Sequence, residues 1–151
     1  MMQNQISLVQ DSFAKVVPIA EVAAELFYNR LFELDPKLKP LFHGDMKAQG
    51  RKLMTMLAAA VRGLDNVEKL IPVLQSLGLR HAGYGVKPKD FDTVGAAFLW
   101  TLQQGLGAVF TAEVRDAWAT VYGVIAKTMM AAAESVRNAG VSDDELSLAP
   151  A

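Results

Sequence analysis

Apolar residues recur along this chain at intervals of three and four, and no stretch alternates strictly, so the pattern predicts helices and no strands. The expected fold class is all-α. Ile6, Val9, Phe13 and Val17 follow helical spacing on a first helix that Asn4 can cap, and Pro18 opens a second. That second helix carries Val22, Leu26, Phe27, Tyr28 and Leu31 and runs to about Glu33. Asp35-Pro36 forces a turn, because proline pushes the residue before it out of the helical region. Pro36 to Phe42 reads as one tight helical turn before a His43-Gly44 loop, and Asp45 starts a helix through Arg62 that Gly63 stops. Asp65 with Glu68 three residues on resembles a capping box, opening a segment that reaches His81. Pro72 inside it is expected to kink or divide that segment.

After the Gly85-Val86-Lys87-Pro88 turn, Phe91, Val94, Phe98 and Leu102 stand at offsets of 3, 7 and 11, the stripe of a long, well-buried helix. Gly105 and Gly107 close it, Thr111 caps the last helix, and Val114, Trp118, Val121, Tyr122, Ile125 and Met129 repeat the pattern. Residues 1–140 read as one domain and 141–151 as a polar tail. A chain of 151 residues is expected to build a single core, and 52% hydrophobic against 21% charged residues leaves apolar side chains to line a cavity. A net charge of −1 argues against general attraction to nucleic acid or anionic lipid. No apolar run approaches a membrane span, the amino end lacks the cationic start of a secretory signal, and there is no cysteine. The expectation is a soluble, cytoplasmic protein that engages neither nucleic acid nor membrane.

Candidate chemistry centres on His81, one of two histidines. Neutral imidazole is the commonest protein metal ligand, and its second nitrogen is fixed by an acceptor, which on a helix can be the carbonyl one turn earlier, near Leu77. One histidine cannot close a zinc site, but it suits a cofactor that brings its own equatorial ligands, as haem does. Gln49, Leu53 and Leu57 lie four apart on one helical face, and Tyr28 sits among Phe27, Leu31 and Phe32, where a buried phenol needs a partner. On residues alone His81 reads first as a structural histidine and only then as a ligand, and Tyr28 and Gln49 read equally as ordinary buried polar groups. Lys52 and Arg80 are equally solvated charges, and Trp118, Tyr122 and the Met129-Met130 pair are core packing.

The order of these parts resembles a globin. Tyr28 lies on the second helix, the Leu41-Phe42 corner follows a proline-rich turn, Gln49-x-x-x-Leu53 lies on the next long helix, and His81 precedes Tyr84-Gly85-Val86. Phe91-Asp-Thr-Val-Gly95, then Ala117-Trp118 with Val121-Tyr122-Gly123, is similar to the last two helices of single-domain bacterial haemoglobins related to flavohaemoglobins, and of neuroglobins. The resemblance spans about residues 5 to 134 and implies a globin fold, about six to eight helices around a pocket for haem b. It implies His81 as the proximal iron ligand, Phe42 as the ring packed on the haem, Leu53 as the wall over the sixth coordination site, and Tyr28 and Gln49 as the distal, catalytic pair. Lys52 and Arg80 would pair with the propionates, and Leu57, Leu77, Val86, Phe91, Val94 and Phe98 would complete the pocket.

The departures from the family shape the expected function. Six residues separate Phe42 from Gln49, shortening the loop there, and Gln49 stands where neuroglobins place a second iron-binding histidine. His43 is expected to point to solvent, so resting coordination by two histidines is not expected. Phe91 stands where flavohaemoglobins have a tyrosine, and Ala133 where they have a last-helix glutamate, with Glu134 rotated roughly 100° away. A peroxidase-like push on the proximal ligand is therefore not expected, and no reductase module follows the globin. The resemblance implies high-affinity binding of oxygen or another diatomic ligand, with nitric oxide dioxygenation if an external reductase supplies electrons. Oxygen storage, or a gas- or redox-sensing interaction protein, is the alternative, and a monomer or weak homodimer is expected.

Overall fold

The computed structural model describes residues 2–42, 44–83 and 85–138. Its α-helices are α1 (Gln3–Val16), α2 (Ala20–Leu34), α3 (Met46–Gly63), α4 (Val67–Gly83), α5 (Pro88–Leu106) and α6 (Ala112–Asn138), and no strand occurs among the described residues. Short 3-10 turns join them, including a six-residue one at Pro36–Leu41 where the single tight turn is expected. Among the described residues no helix is long and apolar enough to cross a membrane. The readings made for His43, Tyr84 and the 141–151 tail fall outside the described residues.

Helix starts follow side-chain chemistry more than residue type alone. Asp45 caps α3 by accepting from the Lys47 amide at 2.9 Å, and the Thr111 hydroxyl accepts from the Val114 amide at 3.2 Å at the start of α6, both as expected. Asn4 does not cap α1. Gln5 reaches back to the Met2 amide at 3.2 Å, so the helix begins ahead of Asn4, which lies inside it. Asp65 does not form a capping box, because the Gln10 side-chain amide holds its carboxylate at 3.1 Å; Asn66 accepts from the Lys69 amide instead, and α4 starts at Val67. Pro72 does not divide α4. It sits in the second turn, and the carbonyl it leaves without an amide belongs to exposed Glu68, where water can serve. Two stripe residues also turn outward. Val17 and Val22 are 54% and 55% exposed, and Val16, Ala23 and Ala24 take the inner positions.

The core is built from helix pairs that meet on aromatic and small residues. Phe27 of α2 meets Phe98 of α5 edge-on at 6.4 Å, and Phe98 meets Trp118 of α6 at 5.4 Å. The buried Trp118 indole donates to the Ser12 hydroxyl at 2.8 Å, and that hydroxyl donates to the Leu8 carbonyl at 2.7 Å, so α1 and α6 are joined with no polar atom of the pair left unsatisfied. The most extensive helix pairing is α4 against α6. It is possible because Gly78 has no side chain: a Cβ there would press on the Met129 carbonyl oxygen and lie 2.7 Å from the Met129 Cα. One turn later Ala82 and Ala133, both buried, continue the small-residue seam.

In an exposed helix interior, replacing glycine by alanine stabilises by about 1 kcal/mol. At Gly78 the obstruction is backbone, which cannot rotate aside, and overpacking of this kind costs about 1–3 kcal/mol. Gly78→Ala is therefore expected to lower the urea midpoint relative to the parent. A raised midpoint would show that α4 does not lie this close to α6.

Candidate functional site

The last full turn of α4 presents His81. Its Nδ1 lies 2.8 Å from the Leu77 carbonyl oxygen, the acceptor one turn earlier that the helical spacing suggested. A carbonyl can only accept, so Nδ1 carries the proton and the lone pair of the neutral ring is on Nε2. Burial holds His81 below the ordinary imidazole value of 6.5; the Leu77 bond opposes this and the nearby Arg80 cation adds to it. The ring is thus neutral at pH 7, the form that ligates metals. The end of the helix is fixed by two turn bonds, Gly85 N–H to Ala82 O and Val86 N–H to His81 O, each 3.0 Å. The second of these turns needs Gly85, whose φ of +92° is strained for any residue with a Cβ.

A second polar centre lies where α2, the 36–41 turn and α3 converge. Burial pushes the Tyr28 phenol up to about 12, and a hydrogen bond from the Gln49 side chain partly offsets that rise. Phe42 stands edge-on to Tyr28 at 5.3 Å and Phe32 stacks beside it at 6.1 Å, so the hydroxyl's surroundings are rigid and apolar. Tyr28 and Gln49, paired in the sequence reading as one possibility, are partners in the fold.

The remaining expected site residues fall into three groups. Phe42, Leu53, Leu57, Leu77, Phe91 and Val94 pack on the core yet stay only partly buried, as Val86 does, and these side chains come from the end of the 36–41 turn, α3, α4, the turn after it and α5. Phe98 lies deeper, among Phe27, Trp118 and Tyr122. With Leu53, Leu57 and Phe27 it lines an interior cavity of about 20 Å³ whose exposed lining is wholly apolar. Of the two candidate cations, Lys52 is exposed on α3 and Arg80 is partly buried next to His81. Ala133 faces Ala82, the neighbour of His81, while Glu134 is exposed, the orientation expected from their spacing.

Two supports of the site escaped the sequence reading. Tyr122, taken as packing alone, donates its hydroxyl to the Phe91 carbonyl at 2.6 Å and so ties the first turn of α5 to α6. Burial, and then the Asp92 charge, raise its phenol well above the usual range, so the donor persists at any ordinary pH. Gly78, unremarked before, sets the height of α4. Its Gly-x-x-x-Ala spacing to Ala82 was a readable sign of a close helix crossing.

Comparison with known proteins gives a consistent result. The family described as Globin matches residues 25–129. The chain is 36% identical over 118 residues to neuroglobin from Tetraodon nigroviridis, covering 69% of this chain and 74% of that one. It is 32% identical over 136 residues to neuroglobin from Danio rerio, covering 81% and 86%. In structure it resembles a bacterial globin from Campylobacter jejuni with a TM-score of 0.79 and 23% identity, covering 91% of this chain and 99% of that one.

The lowered proton affinity of His81 gives the protein a pH signature. Between pH 6.5 and the lower folded value, the unfolded chain binds a proton at this ring that the folded chain does not. Stability is thus present above about pH 6.5 and declines as pH falls through the folded value. Urea unfolding at about pH 7.5 and pH 5.5 is expected to show a smaller loss in His81→Leu than in the parent; equal losses would place the His81 ring in water.

Proposed function

The chain belongs to the globin family, whose members bind small gas molecules through haem, and from that premise we propose that His81 holds the iron of haem b while Tyr28 and Gln49 retain oxygen or another diatomic ligand. The observation that carries the reading is His81 itself: shielded from water, neutral, with its Nδ1 proton committed to Leu77 and its lone pair on Nε2. The residues fit the cofactor. Partly buried apolar side chains from the 36–41 turn, α3, α4 and α5 suit a flat apolar macrocycle, Phe42 as the packed ring and Leu53 as the wall above it. Lys52 and Arg80 suit the propionates, one in solvent and one at the edge of the core.

Bound haem would supply an iron able to take a diatomic ligand and to exchange one electron. Tyr28 and Gln49 do the rest of the work in this reading. The phenol stays protonated to about pH 12, so it donates at every physiological pH, and the Phe32 and Phe42 rings limit its movement. A hydrogen bond to a ligand that has gained negative character contributes about 1.5–3 kcal/mol, so two such donors slow its escape by orders of magnitude. Nitric oxide dioxygenation follows as the proposed reaction: one oxygen molecule, one nitric oxide molecule and one electron give one nitrate ion. Each turnover consumes an electron, which a separate reductase must deliver.

Absorption spectra of the ferric and ferrous protein test the cofactor and its proximal ligand together. His81→Gly is expected to lose the ferrous histidine signature and to regain it with added imidazole; no Soret band in the parent would end the reading. Tyr28→Phe is expected to speed oxygen release by about 10- to 100-fold, the factor for one lost charge-assisted bond. An unchanged release rate would remove Tyr28 from the role. Nitrate formed repeatedly with a reductase present, against one equivalent without it, separates turnover from storage or sensing.

A further inference from the structure

The net charge of −1 conceals an uneven distribution. Residues 35–52 and 80–92, which carry most of the candidate site, hold eight of the fifteen lysines and arginines but only four of the sixteen aspartates and glutamates, an excess of four positive charges. The rest of the chain, with seven cations and twelve carboxylates, carries −5. The structure sharpens this contrast. Asp35, Asp45 and Asp90 turn their carboxylates to the backbone amides of Lys37, Lys47 and Lys87 at 3.1, 2.9 and 2.8 Å, and Asp90 is itself buried. Lys37, Lys39, Lys47, Arg51, Lys87 and Lys89 are exposed, and among the described residues none of these six side chains forms an ion pair.

The two cationic segments meet at the site. A Cβ at Gly85 would lie 3.4 Å from the Leu41 side chain, so the tip of the 36–41 turn touches the turn that leaves α4. Phe42, next to Leu41, packs on Tyr28, and Val86, next to Gly85, is bonded to the His81 carbonyl. The segments that carry Lys37, Lys39, Lys87 and Lys89 are thus neighbours, a rim joined at Leu41 and Gly85 beside both polar centres.

We infer that this rim is the docking surface for an acidic one-electron carrier protein, the donor that the proposed dioxygenation requires; the inference rests on that reading of the site. Charge complementarity steers encounter and fixes orientation, and a partner seated here delivers its electron beside His81. A compact acidic protein can cover the rim alone. A membrane or long nucleic acid extends past it onto the described remainder, whose seven cations and nine carboxylates leave it net negative.

The test titrates haem-loaded protein with an acidic flavodoxin and, in parallel, with lysozyme as a basic protein, and follows reduction by the reduced flavodoxin. Binding of flavodoxin and not lysozyme is expected. The reduction rate is expected to fall at least about tenfold from about 0.01 M to about 0.15 M salt, as screening shortens from roughly 30 Å to roughly 8 Å. The variant K37E/K39E/K87E/K89E is expected to lose at least tenfold in both binding and rate, and K15E/K127E to lose neither. If the fourfold variant fails to show parental circular dichroism and haem spectrum, K37Q/K89Q is expected to lose about threefold in both. A salt-independent rate, equal losses in K15E/K127E, or binding to phosphatidylserine vesicles in place of flavodoxin would overturn the inference. The binding titration needs no haem, so a parent that binds flavodoxin through these lysines but takes up no cofactor would sink the functional reading and leave the surface standing.

Discussion

The position of α4 on α6 is the constraint from which the site follows. Gly78 lets the two backbones touch at Met129, and Ala82 and Ala133 extend the seam to the turn that carries His81. A helix held by backbone contact has little freedom to slide, because any shift must lift a whole turn rather than rotate one side chain. The Leu77 carbonyl is therefore a fixed acceptor, and the ring that donates to it inherits both its tautomer and its plane from the helix. Two turn bonds, one made possible by the backbone of Gly85, end the helix just beyond this point. Packing of α4 at Gly78 and Ala82 thus orients the chemistry of the adjacent His81.

The opposite polar centre is organised by burial instead. Placing a phenol among Phe27, Phe32 and Phe42 disfavours its ionised form, and the Gln49 amide recovers part of that cost without allowing ionisation near neutral pH. The result is a neutral donor whose orientation is set by three rings and one amide before any ligand arrives. Tyr122 plays the same part for the far wall, since its bond to the Phe91 carbonyl holds the start of α5 against α6. Both tyrosines are polar groups kept in apolar surroundings only because each has a partner.

Much of this was legible along the chain. Helical periodicity gave the six helices, Asp45 and Thr111 declared their caps, and the turn at Pro36 followed from proline geometry. What failed had two causes, a long-range contact overriding a local rule and a local turn displacing a stripe by one residue. Asp65 carries the chemistry of a helix start, but Gln10, far away in sequence, claims its carboxylate. Val17 fits the α1 stripe by spacing, yet a 3-10 turn begins there and Val16 takes the inner place. Tyr28 and Gln49 were found because each is odd in its setting, a phenol among rings and an amide between leucines. The Tyr122 hydroxyl was missed because nothing near it in sequence is unusual, whereas Gly78 carried a sign in its spacing to Ala82; their partners, 31 and 51 residues away, give them meaning.

The same small-residue seam also limits what chemistry His81 could support in its proposed role. A carboxylate accepting the Nδ1 proton would draw it strongly and raise the electron density that the ring passes to a metal; a peptide carbonyl does so weakly. The resemblance to flavohaemoglobins makes Ala133 the position from which such a carboxylate would come, and Ala133 is buried against Ala82, while Glu134 is exposed. An acidic side chain there would have to enter a buried seam, at a desolvation cost of several kcal/mol. Close packing and a weakly polarised imidazole are therefore one feature of the sequence. That favours holding a ligand over cleaving it, and it leaves retention to Tyr28 and Gln49 on the other side.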